Sequence, residues 1–234
     1  MTGSSGRRCC NSSVCDVSAS SNVYIESGAK RAFACSLEWP GLARSGKTEE
    51  VALTALASYV PRYLPVAARA AVDFDLSDNQ QWLVVERVPT RSGGADFGVP
   101  TTVLASDYGD VAAKEALRTA ALLSASWDFL DAAAAEAPPE LRKGPRGGGR
   151  DRDAVVAHVA AAEQLFGRKV GLRLPVPAPG ESGVVVANRT ALLEWCRSGR
   201  AQPEAREAWP PRYAARRLIW HVLDHAWEIE DRRQ

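Results

Sequence analysis

Histidine is scarce in this chain, with three in 234 residues, methionine occurs once, and neither sign of charge prevails. With 29 Lys and Arg against 28 Asp and Glu, the formal net charge is +1, so no global field draws the protein to nucleic acid or to a membrane surface. No apolar run approaches the roughly 20 residues of a membrane span, and the N-terminus lacks the apolar core of a secretory signal. A cytoplasmic protein with neither a nucleic-acid nor a membrane partner is expected. Five cysteines, unevenly placed, do not make a disulfide framework. Cys9, Cys10 and Cys15 fall in the polar "GRRCCNSSVCDVSASS", where the CC-x4-C spacing has no fourth metal ligand nearby. Residues 1–21 read as a disordered leader with exposed thiols. Cys35 and Cys196 read as small core residues.

What is present changes character along the chain. With 46% hydrophobic and 24% charged residues, it can bury one sizeable core or two modest ones. Val23, Tyr24 and Ile25 begin a β-prone run, Gly28 and Lys30 mark a turn, and "RAFACSLEW" reads as the second strand of a hairpin. Pro40, Gly41 and Gly46 punctuate a loop. "KTEEVALTALASYVPRYL" reads as a helix capped by Thr48, "QWLVVERVP" as a third strand and "TRSGGADFGVP" as loop. From Ser106 the pattern turns helical. "DVAAKEALRTAALLSASWDFLDAAAAEA" stops at Pro138 and Pro139, and a second helix follows Asp151 or Asp153, either of which can cap it. A third helix lies near "ANRTALLEWCRSG", and a fourth begins at "WPPRY", where prolines suit the first turn. The expected class is α+β: a ββαβ unit over residues 22–104 and an up-down four-helix bundle over residues 105–234.

The histidines carry the functional signal. His221 and His225 stand one helical turn apart, so both rings can reach one ion from the same helix face. His158 is the sole remaining imidazole, on the second helix beside Val155, Val156 and Val159. Three such ligands close one face of a metal and leave the opposite positions open, as a catalytic site requires. Glu228, three residues after His225, shares their face and is a candidate to orient a ring or to act as a catalytic general base; a salt bridge to an arginine is the competing role. Asp224 points away. "LRKGPRGGGRDR", just before the His158 helix, sets Arg146 and Arg150 among glycines that let backbone approach a ligand. It lacks P-loop and GxGxxG spacing, and two readings stay open: a seat for an anionic substrate or cofactor, or a solvated connector. Trp209, Tyr213, Trp220 and Trp227 read as packing, with a hydroxyl from Tyr213 to the site as a lesser option.

Two resemblances follow from these residues. "RAFACSLEWPGLARSGKTEEVALTAL" looks like the small α/β domain of HicB-type antitoxins, which implies a fold and carries no toxin-antitoxin role here. One histidine in the second helix and the H-x3-H pair in "RRLIWHVLDHAWE" resemble the DinB/YfiT-like superfamily of metal-binding four-helix bundles, over much of Asp107 to Arg232. That resemblance implies a divalent ion, zinc first, with nickel or iron as alternatives. It also implies a small-molecule substrate and thiol-dependent transfer, isomerisation or hydrolysis. An alanine- and arginine-rich composition suggests a bacterium with a GC-rich genome, for which mycothiol is the expected thiol. Iron(II) oxygen chemistry and a non-catalytic, metal-stabilised binding protein are the competing readings. Bundle faces and sheet edges leave homodimer formation open.

Overall fold

The structure, a computed structural model, describes residues 20–76, 81–144, 148–178, 180–200 and 208–233. The cysteine trio and Arg146 lie outside these residues. A four-stranded mixed sheet is followed by long helices, an α+β arrangement.

The strands are β1 (Ser20–Ser27), β2 (Ala32–Ser36), β3 (Ala43–Gly46) and β4 (Gln81–Pro89), ordered β3-β2-β1-β4. β1 takes in Ser20 and Ser21, the last two residues of the segment read as a leader, because they pair with Gln81 and Trp82. The expected β1–β2 hairpin forms, with Val23 opposite Ser36 and Ser27 opposite Ala32. Its turn is held by Asp96, which accepts from the backbone N–H of Ala29, Lys30 and Arg31. β4 runs parallel to β1, whereas β2 and β3 are antiparallel. All five side chains of β2 are buried, since both faces of the sheet are covered.

Three local expectations are corrected. The stretch read as a loop around Gly41 and Gly46 contains β3, whose "ARSG" has no β-branched residue and is a strand because β2 pairs with it and α1 packs on it. The single helix after Thr48 is two: α1 (Glu49–Ser58) and α2 (Val60–Arg69), divided at Tyr59. Pro61 has no N–H to continue the first helix and fits the first turn of the second. Thr48 caps α1 as expected, accepting from Val51 N–H. "TRSGGADFGVP" carries a 3-10 turn over Arg91–Phe97.

The long helices are α3 (Ala113–Glu136), α4 (Arg152–Lys169), α5 (Ser182–Ser198) and α6 (Pro211–Arg232). α3 and α4 each pack against both α5 and α6. Asp151 stands at the N-cap position of α4 but makes no capping bond; its carboxylate accepts from Leu141 N–H and pairs with Lys143. One cluster of buried side chains joins Val23 and Ile25 of β1, Leu56 of α1, Leu122 of α3, Leu192 of α5 and Ile219 of α6. α6 is buried nearly all round, as expected of a helix lying between layers. Gly41, at φ +92, marks the close approach: a Cβ there would stand 2.5 Å from Ile219 Cγ2. Arg44 of β3 pairs with Asp224 of α6 at 2.8 Å, and Arg62 of α2 pairs with Glu230 at 2.7 Å. Among the described residues no helix is long and apolar enough to cross a membrane.

Candidate metal centre

α4 and α6 bring the three histidines together. Their ring centroids are 4.6 Å apart for His221 and His225, 4.9 Å for His158 and His225, and 5.2 Å for His158 and His221. One nitrogen from each ring falls in a set whose members all lie within 4.8 Å of one another. His221 is buried; His158 and His225 keep some exposure, so one side of the group opens toward solvent. Phe166 stands edge-on to His221 at 5.5 Å and continues through Trp209 to Tyr213 as an aromatic wall.

The charge states suit metal binding. Burial, with His225 and Arg217 nearby, pulls His221 down to about 2, so its ring is neutral across the physiological range. Burial and His225 also hold His158 below the ordinary imidazole value, and the exposed Arg150 adds to the effect on both rings. Nδ1 of His221 is buried without a hydrogen-bond partner among the described residues. An orphaned imidazole nitrogen beside two further imidazoles is the chemistry expected of a nitrogen-ligand set for zinc, nickel or iron.

Glu228 touches both a histidine ring and an arginine. His225 Nδ1 donates to Glu228 Oε2 at 2.8 Å, and Arg232 pairs with the other carboxylate oxygen. The bond from His225, with Arg232 behind it, holds the Glu228 carboxyl below its usual range, so it is ionised and accepts only. With Nδ1 turned to the carboxylate, Nε2 is the ring nitrogen left to face a ligand, the carboxylate–histidine arrangement common around metals. Both roles foreseen for Glu228 at rest, ring orientation and a salt bridge, are occupied at once.

The basic loop backs this arrangement. Arg232 Nε donates to Arg142 O, and Arg142 N–H donates to Arg232 O, both at 2.9 Å. Gly149, at φ +122, lies so close that an added Cβ would stand 2.6 Å from the Arg232 guanidinium. This glycine lets the loop seat Arg232, which seats Glu228, which orients His225.

Other candidates are placed elsewhere. Tyr213 donates to Thr101 O at 3.2 Å, away from the rings, and Asp224 is held by Arg44. Cys35 and Cys196 are buried and free, and burial pushes each thiol up to about 12, which makes them core residues. A cavity of about 240 Å³ between α3, α5 and α6 is lined by Cys196, Trp195, Arg212 and Arg216, and none of the three histidines lines it. Sequence reasoning missed Arg217 and Arg232, though each stands one helical turn from a singled-out residue, His221 and Glu228. Comparisons with family models, curated proteins and solved structures return no match.

Proposed function

We propose that His158, His221 and His225 hold a divalent metal ion and that the protein is a metal-dependent enzyme of the DinB-like kind, with a HicB-like N-terminal unit packed on its helices. The observation that carries this is the convergence of every imidazole in the chain on one point from two helices. Among the described residues the group has three members and no fourth, and both oxygens of Glu228 are engaged. Open positions favour catalysis over a closed structural site. A zinc or similar ion there would supply Lewis acidity, lowering the pKa of a coordinated thiol or water toward neutrality. The chain's own residues hold the three rings in place, orient His225 through Glu228, and keep a positive charge, Arg150, near the opening for an anionic substrate or thiol such as mycothiol.

Elemental analysis of untagged protein beside His221→Ala tests this reading. Near-stoichiometric zinc, nickel or iron in the first and its loss in the second is the expected result; no metal in either after reconstitution would reject it. In the cobalt-substituted protein, a change of spectrum on adding a low-molecular-weight thiol is expected if the thiol is a ligand.

Glu228→Ala should weaken metal binding by roughly 10–100-fold, the usual effect of losing a carboxylate behind a histidine ligand. Gly149→Ala should act in the same direction and less strongly, by displacing Arg232. Competition with a chromophoric chelator measures both; equal affinity in all three proteins would show that the chain from loop to ring does not orient His225.

A further inference from the structure

A second cluster of unsatisfied groups lies one helical turn before His221 on α6, against the sheet. Among the described residues, Arg216 Nε, Arg217 Nη1 and Trp220 Nε1 are buried and have no hydrogen-bond partner. All three residues line one small cavity, of about 20 Å³, together with Tyr24, Cys35 and Tyr213. The space admits a single water-sized or chloride-sized occupant.

The chemistry of the lining is one-sided. The unpartnered buried atoms are all N–H donors, two of them on guanidinium groups. Asp107 takes both terminal nitrogens of Arg216 and leaves its Nε unused. Arg217 has no carboxylate partner among the hydrogen bonds and ion pairs of the described residues; it stacks on Trp220 at 4.6 Å and on Phe166 at 5.5 Å and touches the Tyr213 hydroxyl. Burial accordingly pulls Arg217 below the ordinary guanidinium value. None of the three acidic groups of the lining is ionised: burial raises the Cys35 thiol to about 12, carries the Tyr24 hydroxyl well above its ordinary value and raises that of Tyr213 as well. The two carboxylates that act on Arg217 are engaged elsewhere, Glu26 by Thr90, Thr101 and Thr102 and Asp224 by Arg44. A buried donor without an acceptor is costly, and a water accepts two hydrogen bonds while having two protons of its own to place.

We infer that this cavity binds one monovalent anion of chloride size, held by Arg216 Nε, Arg217 Nη1 and Trp220 Nε1. The ion neutralises Arg217 and ties α6 to β1 and β2 one helical turn before His221. The inference does not rest on a metal at the histidine group, which Arg217 neighbours through Phe166.

Two measurements on the full chain test it. The first is chemical unfolding in sodium chloride, bromide or sulfate at matched ionic strength, for wild type and Arg217→Met. A site half-saturated at about 10 mM would shift the wild-type unfolding equilibrium about tenfold toward the native state at about 100 mM chloride. Bromide should act alike, sulfate should not, and the variant should lose the halide response. The second is anomalous diffraction from wild-type crystals soaked in bromide, which stands even if the variant fails to fold. A bromide peak in the cavity together with halide-specific stabilisation is expected. Equal stability in the three salts, or a cavity that holds only water, overturns the inference.

Discussion

Replacing Asp107 with alanine should destabilise the protein by about 3–5 kcal/mol, the usual cost of removing one partner from a buried ion pair. Asp107 is fully buried, accepts from Leu104 N–H at 2.8 Å, and holds both terminal nitrogens of Arg216, with Oδ2 to Nη2 at 2.8 Å. Alanine would leave the guanidinium inside with its counter-charge gone and its Nε already unpaired. In a chain of this size the change corresponds to a fall in Tm on the order of 10 °C. A joint replacement should cost far less. Asp107→Leu with Arg216→Met removes both charges, and most of the loss should return. Denaturant titration of the three proteins measures this; a single-variant loss under about 1 kcal/mol would show that the pair does not pin α6 to the sheet side.

The second large effect is a pH dependence that resides in Glu163. This carboxyl of α4 is buried, accepts from Trp127 Nε1 at 2.6 Å and lies 3.5 Å from Arg189 Nε. Burial raises its pKa from 4.5 to about 7, against the pull of Arg189. A raised folded-state value means the native protein binds the proton more tightly than the unfolded chain does. The associated stability is therefore present below pH 4.5 and is lost as the pH rises to about 7, with no further change above. At about 1.4 kcal/mol per pH unit the loss is about 3 kcal/mol. Glu163→Gln keeps an acceptor for Trp127 and removes the titration. The stability difference between variant and wild type should move in favour of the variant by that amount between pH 4.5 and 8. Contributions from the histidines are common to both proteins and cancel. Parallel stability profiles would place the proton elsewhere.

The histidine group was legible because its signal is local. A pair at i, i+4 fixes its own geometry on a helix, and scarcity left His158 as the one partner. Thr48, the hairpin turn and the proline start of α6 were legible for the same reason. β3 was not: four residues with no strand propensity adopt it because β2 and α1 lie on either side. The division at Tyr59 did have a local signal, Pro61, which cannot continue the first helix and suits the first turn of the second. The contacts of Glu228 were visible as alternatives, ring or arginine, and the packed structure makes both. The unpaired donors of Arg216, Arg217 and Trp220 could not be read from spacing, because a missing partner is a property of the packed interior.

α6 meets the turn at Asp107 through Arg216, the sheet through Asp224, α2 through Glu230, α3 through Arg212 with Glu115, and α4 through the histidines. Successive residues face different neighbours, so hardly any position is free to drift. Random substitution would be tolerated unevenly across the molecule: α5 buries Asn188, Leu192, Trp195 and Cys196 and could change its other faces, whereas α6 would retain its sequence almost letter for letter. In descendants of this chain, that one helix would be the last segment still recognisable.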